Sequence, residues 1–211
     1  MNIRQSVLKK VLALTVATGL LTAGLCGCSS MDGEMQGSCI TVSKEGTIED
    51  CIRESFDKDY YDQNELQNEV LQAVLNYNNR IGEERITVEK VQIDGDVTDV
   101  RMGFHTDADY ADFNREVFFI GTPLEAQAAG YDLNHVFVST EDASRTMGEA
   151  ELLTTTGIKV LITNTDQSVT LYNKILYVSD KVELKNKNRT FQIVKEENEQ
   201  ISKEVCVIFK E

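Results

Sequence analysis

The sequence predicts an α+β fold: antiparallel strands and hairpins, one long amphipathic helix over 63–79, short helices, and a strand-rich C-terminal part. Three observations carry that expectation. Short runs of alternating apolar and polar residues recur between turn residues, the pattern of half-buried strands. One stretch, QNELQNEVLQAVLNYNN, repeats its apolar residues at helical spacing instead. A single proline, Pro123, and the sustained alternation argue against disorder beyond the first forty residues or so.

The chain opens with Met1–Lys10, which carries Arg4, Lys9 and Lys10 and no acid, followed by Val11–Leu25, fifteen residues without a charge. A membrane span needs about 20 apolar residues to cross roughly 30 Å of hydrocarbon. A shorter run after a basic start has the size of a secretory signal's apolar core. Leu25-Cys26-Gly27-Cys28 then resembles the lipobox of bacterial lipoproteins, with Leu three before the modified Cys and a small residue directly before it. The match selects Cys28 for lipidation, because Cys26 follows Leu25, which is too large for that preceding position.

The resemblance implies a diacylglyceryl group on the Cys28 sulfur and cleavage that makes Cys28 the first residue. Fatty chains such as palmitate would then hold the protein at the extracytoplasmic face of the cell membrane. Each buried CH₂ contributes about 0.8 kcal/mol, so one chain binds marginally and two or more hold firmly. An ordinary cleaved secretory signal is one alternative. A retained Cys26-x-Cys28 metal or redox pair is another, and it requires Cys26 to survive in a folded domain.

The expected organisation is therefore a signal peptide over 1–27, a flexible tether over 28–37 and a single α+β domain over 38–211. A composition shift at TTTG, 154–157, suggests a β-rich subdomain over 158–211. The tether is Ser, Gly, Met and acid, and ten such residues span about 15–20 Å.

The first hairpin is ITVSKEGTIED, flanked by Cys39 and Cys51. A three-residue loop, Lys44-Glu45-Gly46, puts Gly46 where a positive φ is needed. That register sets Cys39 directly opposite Cys51. Directly opposed Cβ atoms lie about 4.5–5.5 Å apart, slightly wider than a disulfide prefers. Export places the pair where disulfides persist. A Cys39–Cys51 bridge and two free thiols both stand as readings of the pattern.

Asp62 and Glu65 then form an Asx version of the capping box, and Leu66, Val70, Ala73, Val74 and Tyr77 make the stripe of the 63–79 helix. Asn78, Asn79 and Gly82 supply its stop. Residues 85–105 alternate as two strands about Asp94-Gly95-Asp96, with a bulge where apolar parity slips between Val88 and Val91. A short helix is expected from about Asp107, a buried strand at VFFIG, and a second short helix at TPLEAQAAGY. There Thr122 caps, Pro123 opens the helix, Glu125 sits three after the cap and Gly130 ends it. HVFVS reads as a strand and 140–153 as an ambiguous acidic helix. IKVLIT, SVTLY, KILYVS, KVEL, TFQIV and EVCVIF read as strands, the last apolar on both faces and so central.

Charge bounds the partners. Residues 1–27 hold three of the 21 Lys and Arg and none of the 35 Asp and Glu, which leaves a net −17 over the remaining 184 residues. Phosphate backbones and anionic lipid heads both repel such a surface, so no nucleic-acid partner is expected and attachment falls to the acyl chains. Trp is absent and aromatics make up 7%, a poor base for a carbohydrate-stacking platform.

Candidate chemistry is thin. Asp57, Asp59 and Asp62, and Asp107, Asp109, Asp112 and Asn114, cluster as calcium ligands do. Neither run places the Gly and Glu that a twelve-residue calcium loop requires, and acid at helix starts opposes the positive end of the dipole. His105 and His135 are the two histidines. His105 near Asp107 lacks further zinc ligands, and Ser139 lacks a Gly-x-Ser-x-Gly elbow to make a triad with either. Cys206 lies in an apolar strand, where Cys is usually packing. No Walker or dinucleotide glycine loop is present. The expectation is no catalytic residue, no cofactor and no metal.

The segments TVSKEGTIEDCI, FDKDYYDQNEL and VCVIFK resemble uncharacterised small lipoproteins of Gram-positive anaerobes, over much of the chain and in order. The likeness implies a lipoprotein and carries no catalytic residues across. A non-enzymatic binding or envelope module is the leading expectation. A secreted hydrolase with scattered site residues and a solute-capture lipoprotein are the alternatives, both requiring a deep cleft with converging polar groups.

Overall fold

The computed structural model describes residues 37–55, 62–195 and 203–211. Residues 1–27, Cys28, most of the expected tether, and Asp57 and Asp59 lie outside the described residues. Among the described residues 4 helices and 13 strands form an α+β fold rich in strand. They divide into two compact units. The first takes in described residues up to Ile40 together with Thr47–Arg115, and the second Thr41–Gly46 with Glu116–Glu211. The division falls at Arg115/Glu116, and residues 154–157 lie within the second unit.

The first unit is a sheet backed by two helices. Strand β1 (Cys39–Val42) begins in this unit, the hairpin residues Thr41–Gly46 are counted with the second, and β2 (Ile48–Ser55) belongs to the first. At the turn Gly46 N–H donates to Ser43 O at 3.2 Å, with Gly46 at φ 87°. Helix α1 (Gln63–Ile81) follows, then β3 (Ile86–Asp94), β4 (Val97–Phe104) and helix α2 (Asp107–Asn114). β4 is paired antiparallel with β2 on one side and β3 on the other. Gly95 turns the β3–β4 hairpin at φ 57° in a two-residue loop. The bulge expected from the parity slip is present: Val88 faces Met102 and Lys90 faces Arg101, leaving Glu89 extra.

The bulge keeps Ile86, Val88 and Val91 on the same face as Phe104, Met102 and Val100. On β2, Ile48 and Ile52 meet Phe104 and Val100 across the pairing. Helix α1 adds buried Leu66, Val70, Val74 and Tyr77. Burying each such side chain contributes roughly 1.5–3 kcal/mol.

α1 starts where Asp62 accepts from Glu65 N–H, as the capping reading requires, and ends at Gly82 at φ 85°. It runs two residues past 79, because the left-handed residue that closes it is Gly82 rather than Asn78 or Asn79. Asn78 fixes the following strand: its Oδ1 accepts from Arg85 and Ile86 N–H, each at 3.0 Å, and its Nδ2 donates to Ile86 O at 2.8 Å.

The second unit carries a six-stranded sheet in the order β5-β8-β13-β10-β6-β7. Its members are β5 (Phe118–Gly121), β6 (Phe137–Ser139), β7 (Thr146–Met147), β8 (Ile158–Thr163), β10 (Ile175–Val178) and β13 (Val205–Lys210). β13 pairs antiparallel with β8 and β10, and Val205–Phe209 are all buried, the central place expected for a strand apolar on both faces. Helix α3 (Pro123–Ala128) has the full capping box between Thr122 and Glu125. Leu133, Phe137, Leu152, Val160, Ile162, Cys206 and Ile208 share its core with Ala126. A second antiparallel set runs β11-β12-β9, with β9 (Ser168–Leu171), β11 (Val182–Lys185) and β12 (Thr190–Ile193).

The acidic stretch 140–153 differs from the helix considered there. Only α4 (Glu149–Leu152) is helical, and the short β7 precedes it. Ser139 Oγ accepts from Glu141 and Asp142 N–H, and Asp142 Oδ1 accepts from Ser144 N–H at 3.0 Å. Side chains that satisfy backbone N–H groups in this way hold a turn where a helix would otherwise run.

Candidate functional site

Side chains alternate along a strand, so β4 turns Val100, Met102 and Phe104 toward the helices and Asp99 and Arg101 to the opposite face. Cys51 of β2 lies across from Arg101, and the β3 bulge brings Lys90 opposite the same residue. Asp99, 9% exposed, is the hub of this face. Lys90 Nζ donates to its Oδ2 at 2.5 Å, Arg101 Nε to its Oδ1 at 3.3 Å, and Cys51 Sγ to Oδ1 at 3.9 Å. Burial alone would raise the Asp99 carboxyl, but the two cations more than offset it and hold it below the usual carboxylate range. It stands as a fixed anion near neutral pH.

Cys39 and Cys51 belong to this cluster, and both are buried with their thiols reduced. A hydrogen bond from Cys39 holds Cys51 below the ordinary thiol range, against burial and the Asp99 charge, with Arg101 assisting. Ser38 brackets the adjoining strand: its Oγ donates to Arg53 O at 3.1 Å and accepts from Arg53 N–H at 2.9 Å.

A second buried acid, Asp109, is built by the start of α2. Thr106 caps the helix by accepting from Asp109 N–H, and its hydroxyl donates back to Asp109 Oδ2 at 2.6 Å. Tyr77 OH donates to Oδ1 at 3.2 Å and Arg85 Nε to the same oxygen at 3.3 Å. Despite burial, these donors keep Asp109 ionised to lower pH than an ordinary carboxylate. Burial and the Asp109 charge push Tyr77 up to about 12.

The acids considered for calcium thus point apart. Asp109 is turned inward to Tyr77, Arg85 and Thr106, Asp112 pairs with Arg80 at 2.6 Å, and Asp62 caps α1. Among the described residues, no group of three or more His, Cys, Asp and Glu is placed to hold a metal ion. His105 is exposed, and its backbone N–H donates to Arg85 O. His135 stacks edge-on to Phe137 at 5.8 Å, while Ser139 Oγ is engaged by the turn that follows it. Cys206 is 1% exposed, and burial pushes its thiol up to about 12.

The Asp99–Lys90–Arg101 cluster escaped the sequence reading. Its signal was the parity slip, which moves Lys90 into register with Arg101. No helix among the described residues is long and apolar enough to cross a membrane. Comparison with known protein families, with curated proteins and with solved structures finds no match.

Proposed function

We propose that the chain is a membrane-anchored extracytoplasmic lipoprotein, held through acyl chains on Cys28, whose α+β region is a non-enzymatic binding or envelope-interaction module. One observation carries the reading: a basic start, a fifteen-residue uncharged run and the lipobox-like Leu25-Cys26-Gly27-Cys28 follow one another in that order. β1 begins at Cys39, so the proposed anchor lies eleven residues ahead of the first strand. The net −17 of residues 28–211 supports attachment by hydrocarbon rather than by charge, since anionic head groups repel it. The module half of the reading is supported by two of the buried carboxylates, Asp99 and Asp109. Each is engaged by cations or hydroxyls of the chain itself, as acids that hold a fold are.

The test is fractionation of cells making the full chain. The protein is expected in the membrane fraction, its first residue Cys28 bearing diacylglyceryl by mass spectrometry, and Cys28→Ala in the soluble fraction. Unmodified Cys28 in the native product, or residues 1–27 still attached to it, overturns the anchor. For the module, crosslinking on whole cells is expected to yield an envelope adduct that the purified protein competes away. Adducts that fail to saturate or to compete overturn the interaction role.

A further inference from the structure

Two buried cysteines side by side call for a reason of their own. The Gly46-to-Ser43 hydrogen bond and the positive φ of Gly46 close a three-residue loop over 44–46. In that register residue 43 opposes 47, and counting back along both strands sets Cys39 opposite Cys51. The hydrogen bond from Cys39 to Cys51 is an independent sign of the same register. The two residues are 3% and 2% exposed, so neither thiol is open to solvent in the folded chain.

We propose that Cys39 and Cys51 are a dithiol pair that closes into a cross-strand disulfide by exchange with an incoming disulfide as the chain folds. The Cys51 thiolate attacks one sulfur of the incoming disulfide, whose S–S bond breaks and releases one thiolate. The Cys39 thiol gives up its proton and attacks the Cys51 sulfur of the mixed disulfide. The Cys39–Cys51 bond forms and the second thiolate leaves. The pair loses two electrons and two protons, and the oxidant is reduced to two thiols. Once the hairpin sets Cys39 beside Cys51, and before later packing covers the pair, the hydrogen bond from Cys39 favours the Cys51 thiolate as the attacking group, against the charge of Asp99. Cys206, buried in β13, has no such neighbour to lower it and serves as the internal reference.

The experiment unfolds the purified full-length protein in denaturant and refolds it with oxidised and reduced glutathione, or with reductant alone. Free thiols are then trapped with a maleimide under denaturing conditions. Trypsin and Glu-C cut at Lys44 and Glu45, between the two cysteines, so a bridge appears as two joined peptides. With glutathione, the Cys39 and Cys51 peptides are expected joined and Cys206 alkylated. The joined form should melt about 6–12 °C above the reduced protein, as a short closed loop in a domain of this size does. Cys39→Ser should lose both the joined peptide and the shift. Alkylation of both Cys39 and Cys51 after glutathione refolding overturns the proposal, as does either of them joined to Cys206. The readout is confined to these peptides and stands whether or not Cys28 is acylated.

Discussion

Tyr77→Phe separates a single hydroxyl from everything else that Tyr77 does. The ring is 6% exposed, lies edge-on to Phe113 at 5.7 Å and has the Arg80 guanidinium 4.9 Å from its centroid. Phenylalanine keeps the burial and both contacts. The variant loses the hydrogen bond to Asp109 at 3.2 Å, while Thr106 and Arg85 still hold that carboxylate. A hydrogen bond to a charged partner contributes about 1.5–3 kcal/mol. With the other two donors in place, the expected loss is at the lower end, about 1.5–2 kcal/mol near neutral pH.

The pH dependence supplies a second handle on the same residue. Tyr77 is raised from 10 to about 12 in the folded chain, so the folded state binds its proton more tightly than the unfolded state. The stability it contributes is complete below pH 10, is lost as pH rises from 10 toward about 12, and amounts to about 2–3 kcal/mol. Urea unfolding followed by circular dichroism at neutral pH and at steps across that alkaline range is the assay. The gap between wild type and Tyr77→Phe should close as the solution grows alkaline, with wild type falling below the variant once Tyr77 ionises. A variant losing less than about 0.5 kcal/mol at neutral pH, or sharing the wild-type alkaline decline, would refute the reasoning.

Asp99→Asn should cost about 1–3 kcal/mol, because Lys90 and Arg101 lose the charge that pairs them. Asp99 titrates below its ordinary value in the folded chain, so its contribution is present above the unfolded pKa and lost as pH falls through the folded one. The acid limb of stability should accordingly be shallower in Asp99→Asn, measured by thermal melts at stepped acidic pH. Asn78→Ala removes all three hydrogen bonds that join α1 to the start of β3, an expected loss of about 2–4 kcal/mol by denaturant titration. Gly46→Ala meets no atom within 4 Å, so its cost is the left-handed backbone alone, about 1 kcal/mol, with the midpoint shifted and the slope unchanged.

Local signals were legible in the sequence where one residue type settles the geometry. Asp62 and Thr122 cap helices, Gly46 and Gly95 turn hairpins, and the apolar slip near Val88 marks a bulge. The α2 start at Asp107 followed from its acids, whereas its end did not. Arg115 takes the left-handed position at φ 54°, with no glycine to announce it. The division at Arg115/Glu116 was hidden for the same reason: it falls at a charged pair, with no change in composition there. Stretch 140–153 misled because helix-forming Glu and Ala are outcompeted by Ser139 and Asp142, whose side chains take the backbone donors first. The Asp99 cluster needed the bulge and two strand pairings at once, a non-local coincidence that period-two reading cannot sum.

The position of β13 has a bearing on how the second unit is assembled. β5, β6, β7, β8 and β10 all leave the ribosome before the strand that joins them. Until it arrives they can form only a β5–β8 piece and a β10–β6–β7 piece, each with a bare ladder edge along β8 or β10. Nascent or truncated chains stopping short of Val205 would carry two apolar edges ready to capture one another, an aggregation hazard that the finished sheet conceals.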